Sequence, residues 1–304
     1  MEEGRQSFVV IGIGEVLWDI YRQGRHLGGA ASNFAIHASQ LGDHGVMVSR
    51  VGDDGMGREL LIALKNWQLQ TRYIQTDPLH GTGNVMISLD VKGVPTFRCS
   101  HDVAFDYLQH DEKNQALAAS ADAVFFTALG QRAAGSRYAV QQFLHAATRA
   151  IKIFEVNWLP PRDDLRTLLQ QCLSFTQILK ANEKEMNAVR QALRKENESM
   201  SKFVDYLFKK YSFKLVVLTR GENGCEIYDG QRVVKVEALP VRVVDTTGAG
   251  DAFAAGLINK YLRGAPLRDM AEFANLLGAF VSTQLGATPT FSPTHLETFR
   301  ENLE

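Results

Sequence analysis

The sequence predicts an α/β fold in which a mainly parallel central sheet carries helices on both faces. Short, continuously apolar runs alternate along the chain with longer segments whose apolar residues recur at helical spacing. Strands buried on both faces have this continuous apolar character, and strand–helix alternation implies right-handed crossovers between parallel strands. A chain of 304 residues can bury a large core, and we expect one domain spanning 1–304.

Six apolar runs are predicted as the strands of this sheet. They are FVVIGIG (8–14), VMVSRVG (46–52), AVFFTALG (123–130), IKIFEVN (151–157), TQILKAN (176–182) and KLVVLTRG (214–221). Amphipathic segments between them predict helices at 30–41, 56–69, 133–150, 183–194 and 200–211. Two further helices, 251–263 and 266–285, are separated by the sequence RGAP, and Pro266 is expected to start the second.

Two regions break this alternation and predict a small separate β structure. LWDIYRQGRHLGG (17–29) is too short for a helix and contains a glycine turn. GNVMISLDVKGVPTFRCS (83–100) alternates apolar and polar residues around the turn DVKGVP, which is typical of a β-hairpin. Because a hairpin has no place within a parallel sheet, we expect it to cover the carboxyl edge of that sheet. Three more short strands are expected within 225–244.

Composition and charge exclude several classes of function. The chain has 45% hydrophobic and 22% charged residues, as ordinary globular proteins do, and its net charge of -1 offers no basic surface to nucleic acid or to an anionic membrane. No segment approaches the length of a membrane span, and the polar start MEEGRQSFVV is unlike a signal peptide. Three widely spaced cysteines indicate a reducing compartment. We therefore expect a cytoplasmic protein.

The stretch VVDTTGAGDAFAAGL (243–257) carries the strongest chemical signal. The amides of Gly248, Ala249 and Gly250 at a helix N-terminus form an anion-binding concavity, to which the helix dipole adds partial positive charge. A carboxylate beside such a concavity repels phosphate unless it has a task there. Asp251 stands where it can take a proton from a hydroxyl that attacks the phosphate. The alternative is a glycine turn with Asp and Thr as caps, and the full D-T-T-G-A-G-D run argues against it.

A second motif, LGGAASNFAIHASQLG (27–42), places two glycines before a helix that carries Asn33. Glycines at that position let a ligand lie against the helix start, and Asn33 offers both a donor and an acceptor to paired hydroxyls. Upstream, Asp19 ends the first strand region and can accept two hydroxyl hydrogen bonds. Taken singly, Asn33 is more often a cap or surface residue, and Asp19 is more often a turn residue.

Two further motifs follow predicted strands. In KANEKE, Asn182 and Glu185 lie on one face of a first helical turn and suit a hydrated Mg²⁺, although a capping box explains the same spacing. LTRGENG (218–224) is a glycine-rich strand exit of the kind that contacts nucleotides, or an ordinary turn. GIGEVL (12–17) lacks the third glycine of a dinucleotide fingerprint, and the chain has no P-loop, G-x-S-x-G or H-E-x-x-H motif.

In this order, the motifs resemble those of the PfkB, or ribokinase-like, carbohydrate kinase family. GEVLWD, LGGAASNFAIHASQLG and VSRVGDDGMGRELL look most like the bacterial fructokinase branch, and the resemblance runs from about residue 9 to about residue 290. It implies transfer of the γ-phosphate of ATP, with Mg²⁺, to a hydroxyl of a small sugar, fructose being the best match. It also implies a small β-sheet lid over the sugar, formed here by about 17–29 and 83–105.

The resemblance also implies roles for individual residues. Asp251 corresponds to the base for the sugar hydroxyl, and Gly248, Ala249 and Gly250 to the anion hole. Sugar contacts correspond to Asp19, Gly28, Gly29 and Asn33, nucleotide contacts to Lys180, Thr219, Gly221, Gly224 and Asn275, and contacts to Mg²⁺ and its waters to Asn182 and Glu185. Asp245 and Thr247 match positions that hold a monovalent cation such as K⁺ in some members. We further expect Phe97 and Arg98, on the lid, to discriminate among sugars.

One departure from the family pattern leaves alternatives open. EVNWL (155–159) has Leu159 where many sugar kinases of this branch have an arginine that helps bind substrate or phosphate. The alternatives are a kinase for ribose, 2-keto-3-deoxygluconate or a nucleoside, and a non-catalytic sugar or nucleotide sensor. Lids of this family often pair between subunits, so a homodimer through the lid is a further expectation.

Overall fold

The computed structural model describes residues 7–89, 95–157 and 164–303. Its strands are β1 (Val9–Ile13), β2 (Leu17–Tyr21), β3 (Gly24–Gly28), β4 (His44–Gly52), β5 (Ile74–Asp77), β6 (Asn84–Leu89), β7 (Pro95–Cys99), β8 (Ala123–Thr127), β9 (Ile151–Glu155), β10 (Ile178–Asn182), β11 (Leu215–Thr219), β12 (Cys225–Tyr228) and β13 (Val233–Val236). Its helices are α1 (Ala30–Gln40), α2 (Gly55–Asn66), α3 (Glu112–Ala119), α4 (Ala134–Ala146), α5 (Leu165–Phe175), α6 (Glu183–Ala192), α7 (Met200–Lys210), α8 (Ala249–Leu262), α9 (Leu267–Ser282) and α10 (Pro293–Glu301).

The large sheet has nine strands in the order β13-β12-β11-β10-β9-β8-β1-β4-β5. All neighbours from β11 to β5 run parallel, whereas β12 and β13 form an antiparallel edge. All six predicted strands are present; five lie within the ranges expected from the sequence, and β4 begins at His44, two residues before its predicted start. The predicted α/β class is therefore confirmed.

The core explains why these strands read as continuous apolar runs. Successive side chains of a strand point to opposite faces, so Phe126 lies in one hydrophobic cluster and its neighbour Phe125 in the other. The first cluster packs under α4 to α7 and the second under α1, α8 and α9. Because both faces are covered by helices, neither side of the sheet needs polar residues. In the described part of the chain, no helix is long and apolar enough to cross a membrane.

The small sheet contains four strands in the order β3-β2-β6-β7, with β2 and β6 parallel and the outer pairs antiparallel. Both segments that broke the alternation therefore form β structure, as predicted. The predicted turn at 90–95 falls largely on residues 90–94, outside the described residues. Side chains of Leu17, Tyr21, Val85 and Ile87 pack together with Phe105 as a core of its own.

The prediction of three strands within 225–244 is wrong, because only β12 and β13 form there. After β13 the chain leaves the sheet edge. Pro240 has no amide to donate, and the amides of Val244 and Asp245 donate to the carbonyl of Ser282, at 2.9 and 3.2 Å. The segment is therefore fastened to the end of α9, which brings Asp245 to the start of α8.

Candidate active site

A cavity of about 1160 Å³ lies between the carboxyl edge of the large sheet and the small sheet. Ten of the residues proposed from the sequence line it: Asp19, Gly29, Asn33, Phe97, Arg98, Asn182, Thr247, Gly248, Gly250 and Asp251. They come from two sheets and three helix starts, which shows that the fold brings separate motifs together around one space.

The N-terminus of α8 is open toward this cavity. The N-cap residue, Gly248, has the left-handed conformation (φ 77°), and its lack of a side chain leaves the helix start without a side-chain cap. A Cβ on Gly248 would lie 2.5 Å from the Cβ of Ala287, so only glycine fits here. The amide of Ala249 donates to the carbonyl of Thr246 at 3.2 Å, whereas the amides of Gly250 and Asp251 have no acceptor among the described residues. The amide of Gly248 also has no described acceptor, so three donors are left for an anion, and of the three amides predicted from the sequence only that of Ala249 is used within the turn.

The carboxylate of Asp251 is buried in the first turn of α8. Its Oδ2 accepts a hydrogen bond from Asn33 Nδ2 at 2.8 Å. Burial raises the pKa of Asp251 well above its usual value, and the negative charge of Glu155 adds to this, while Asn33 and Lys180 oppose it. A carboxylate with a raised pKa is better matched to removing a hydroxyl proton than an ordinary aspartate is. Asn33 Oδ1 is also buried and has no described partner, which leaves it to accept from a ligand.

Asp19 extends the row of acceptors on the small-sheet side. It is 4% exposed, and burial, helped by the charge of Asp245, raises its pKa to about 8. A Cβ on Gly28 would lie 2.2 Å from Asp19 Oδ2, and a Cβ on Gly29 would lie 2.6 Å from the carbonyl oxygen of Glu15. Gly28 is not among the residues that line the cavity. The absence of a side chain at Gly28 therefore makes room for Asp19 rather than for a ligand.

Lys180 lies directly beneath the open turn. Its Nζ is 2.8 Å from Glu155 Oε1 and would be 3.1 Å from a Cβ on Gly250. Burial acts to lower the pKa of Lys180, but the charges of Glu155 and Glu185 outweigh it and raise the pKa overall. The ammonium group therefore stays charged next to the amides that α8 leaves open.

Asn182 and Glu185 form the capping box that the sequence offered as an alternative. Asn182 Oδ1 accepts from the amide of Glu185 at 2.9 Å, and Glu185 Oε2 accepts from the amide of Asn182 at 2.8 Å. Within 7–89, 95–157 and 164–303, no group of three or more His, Cys, Asp or Glu side chains forms a metal site. One oxygen nearby is unused, because Glu155 Oε2 is buried without a described partner while Glu155 lines the cavity. Oxygen donors at this edge fit a largely hydrated Mg²⁺.

The remaining nucleotide-side residues lie outside the cavity lining. Gly221 (φ 54°) and Gly224 (φ 77°) form a tight turn after Thr219, closed by the amide of Arg220 donating to the carbonyl of Gly224 at 2.8 Å. Asn275 Nδ2 donates to the carbonyl of Glu237 at 2.7 Å, which ties α9 to the segment after β13. The structure therefore does not place these residues among those that line the cavity.

Asp245 is completely buried behind the open turn. Its Oδ2 accepts from the Tyr21 hydroxyl at 2.7 Å and from the amide of Gly286 at 3.0 Å, and its Oδ1 accepts from the amide of Thr247 at 2.9 Å. The side chain thus fixes the loop that leads into α8.

A family model for the pfkB family of carbohydrate kinases matches residues 14–295. The chain belongs to the pfkB family of carbohydrate kinases. It is an ATP-dependent phosphotransferase that acts on a sugar, as its relatives and solved neighbours also indicate.

Individual relatives of this pfkB-family kinase cover nearly its whole length. An uncharacterized sugar kinase from Pyrococcus horikoshii is 30% identical over 289 residues, covering 92% of this chain and 88% of its own. A structure of that protein with ATP has a TM-score of 0.79 at 27% identity and covers 93% and 95% of the two chains. A fructokinase from Klebsiella pneumoniae is 29% identical over 273 residues, covering 86% and 87%.

One more solved structure shares the fold of this kinase. A double mutant of the fructokinase from Vibrio cholerae O395, bound to fructose, ADP and a potassium ion, has a TM-score of 0.81 at 22% identity. It covers 96% of this chain and 98% of its own.

Three residues that line the cavity or support it from behind escaped the sequence reasoning. Glu15 is fully buried, its pKa is raised to about 7 mainly by burial, and its Oε2 accepts from Thr127 Oγ1 at 2.8 Å. Arg132 holds Asp106 through two hydrogen bonds of 2.6 and 2.7 Å, and both residues line the cavity. Tyr21 was detectable in principle, since it stands two residues after Asp19 on the same face of β2. Leu159, the departure from the family pattern, lies outside the described residues.

Proposed function

We propose that this kinase transfers the γ-phosphate of ATP to a hydroxyl of a small neutral sugar, and that fructose is its preferred substrate. The observation that carries the proposal is the position of Asp251. It is buried, held by Asn33 and located in the helix turn whose amides at Gly250 and Asp251 are open to the cavity. Asp251 therefore lies where a substrate hydroxyl would be next to a phosphate group held by the open amides.

In this mechanism Asp251 removes the hydroxyl proton as the oxygen attacks the γ-phosphorus in line, and the bond from the γ-phosphorus to the bridging oxygen breaks, so that ADP leaves. The open amides of α8 and the charged Lys180 stabilise negative charge on the transferring group. Bound Mg²⁺ would neutralise phosphate charge, held through water by the oxygens of Glu155, Asn182 and Glu185. The small sheet acts as a lid that excludes water, which otherwise competes as the phosphate acceptor.

The charges in the cavity favour a neutral polyol over a sugar acid. Asp19, Asn33 Oδ1 and Asp251 offer acceptors to hydroxyl groups. Among the described residues that line the cavity, Arg132 is already paired with Asp106, and the other arginine, Arg98, is exposed on the small sheet. A carboxylate such as that of 2-keto-3-deoxygluconate would therefore find no unpaired buried arginine or lysine among the described residues that line the cavity. Fructokinases among the relatives support fructose over ribose or a nucleoside.

A monovalent cation is a further part of the proposal. Thr247 Oγ1 is buried and has no partner among the described residues, and with the charge of Asp245 it would suit K⁺.

The predicted homodimer through the lid is checked separately by analytical ultracentrifugation.

A coupled ADP-release assay across fructose, ribose, 2-keto-3-deoxygluconate and nucleosides, with and without K⁺, tests the proposal. We expect the largest kcat/KM with fructose and little ADP release without a sugar. If the protein binds ATP but turns over none of these substrates, it is a sensor and the proposal is wrong. If another substrate exceeds fructose, the reaction stands and the sugar is reassigned.

A further inference from the structure

Tyr21 connects the two halves of the site through one buried hydrogen bond. It is the last residue of β2, is 5% exposed, and donates its hydroxyl hydrogen to Asp245 Oδ2 at 2.7 Å. Its ring packs edge-on against His26 of β3, with centroids 5.4 Å apart. The bond therefore joins the small sheet to the loop before α8, which belongs to the large-sheet side.

Asp245 links Tyr21 to the open turn of α8 through further hydrogen bonds. Its Oδ1 holds the amide of Thr247, the residue just before Gly248, and its Oδ2 also holds the amide of Gly286. Ala287, the next residue, packs against Gly248, and its carbonyl accepts from His37 Nε2 at 2.9 Å. The conformation of the turn thus depends on a carboxylate for which Tyr21 supplies one of three donors.

The strand that carries Tyr21 also carries a residue proposed to bind the sugar. Asp19 lies two residues before Tyr21, so both side chains project from the same face of β2. Hydrogen bonds to a buried carboxylate are short and strong, and removing one donor leaves that carboxylate short of a partner. Misplacing reacting groups by about 1 Å can cost roughly 10²-fold in rate.

We propose that Tyr21 is a positioning residue that holds the sugar-binding strand β2 in register with the phosphate-binding turn of α8. This inference rests on the proposed function, because it concerns how the two substrates are aligned. Tyr21 is not among the described residues that line the cavity, so we expect it to act on the substrates through Asp245 and through β2. Its loss should therefore lower kcat more than it raises either KM.

Tyr21→Phe tests this role, because it keeps the ring and removes only the hydroxyl. We expect kcat to fall about tenfold, with KM for sugar and for ATP within about threefold of the parent values. The matched control is Tyr228→Phe, which removes a tyrosine hydroxyl bonded to the Glu226 carboxylate on the edge strand β12. That variant should retain the parent kcat.

A double-mutant cycle with Asp245→Asn shows whether the bond itself is responsible. In the Asp245→Asn background, Tyr21→Phe should change kcat less than twofold. The inference is overturned if Tyr21→Phe alone keeps kcat within twofold of the parent, if it lowers Tm without lowering kcat, or if the two effects simply multiply. Absence of turnover by the parent protein on every sugar is a different result, and it overturns the proposed function together with this inference.

Discussion

Two helices begin at the same edge of the large sheet, and their N-termini are built in opposite ways. The first turn of α6 is closed by its own side chains, since Asn182 and Glu185 accept from each other's amides. The first turn of α8 has Gly248 in the capping position and no capping side chain, so the amides of Gly250 and Asp251 stay open. A helix start whose donors are satisfied stabilises the fold, whereas one whose donors are open can bind an anion.

The difference also explains why the acids of the two turns behave differently. One carboxylate oxygen of Glu185 accepts a hydrogen bond in the capping box, which contributes to helix stability. Among the described residues, Asp251 accepts one side-chain hydrogen bond, from Asn33 Nδ2, and burial keeps its pKa raised. Predictions that remove these features separate what each helix start contributes to stability from what it contributes to catalysis.

The largest effect is expected from Asp251→Asn. The amide keeps the shape and can still accept from Asn33, but it cannot take a proton, so turnover should fall by at least about 10³-fold. ATP affinity, measured by calorimetry with Mg²⁺, should stay within about threefold. Near-parental turnover would show that the open turn of α8 does not carry the base.

Gly248→Ala should cost about 10²-fold in kcat and several degrees in Tm. The added methyl group would lie 2.5 Å from the Cβ of Ala287, and the alanine would have to adopt the left-handed backbone conformation of Gly248. The turn must therefore shift. Gly264→Ala is the matched control, because Gly264 is also left-handed (φ 68°) but a Cβ added there would have no atom of the described residues within 4 Å. The control should lose Tm only. Equal kcat losses in both variants would contradict a special role for the turn.

Asn182→Ala removes the cap of α6 and should lower Tm by about 2 °C, since a lost cap costs about 1 kcal/mol. Ser199→Ala, at the N-cap of α7, provides the comparison for a cap away from the cavity. The Mg²⁺ concentration for half-maximal rate should rise for Asn182→Ala alone. If both variants keep the parental Mg²⁺ dependence, the α6 turn is purely structural.

The smallest predicted effect is the loss of folding stability that comes from burying the Asp19 carboxylate in the site. The pKa of Asp19 in the folded protein, about 8, lies above its ordinary value, so the folded state holds the proton more tightly between about pH 4 and pH 8. Stability therefore decreases as pH rises through that window. Asp19→Asn should remove this loss and raise Tm by a few degrees at pH 8 and little at pH 4.5. Equal Tm changes at both pH values would contradict the raised pKa.

The sequence predicts best where the signal is local. The buried strands follow from continuous apolar runs, and the open turn of α8 follows from neighbouring residues in the D-T-T-G-A-G-D run. Contacts between distant segments leave no such pattern. Tyr21 and Asp245 are 224 positions apart, and Glu15 and Thr127 are 112 apart, so their pairing becomes visible only when the chain is folded. Gly28 likewise suggested a ligand approach, whereas the folded chain shows it making room for Asp19.

Amide resonances measured by NMR during titration with Mg²⁺ and a non-hydrolysable ATP analogue test the contrast between the two helix starts most directly. We predict that the amides of Gly250 and Asp251 shift strongly and become protected from hydrogen exchange. The amide of Glu185, already bonded to Asn182, should keep its protection. Saturation with the analogue that leaves the Gly250 and Asp251 amides unchanged would contradict the phosphate-binding role of α8.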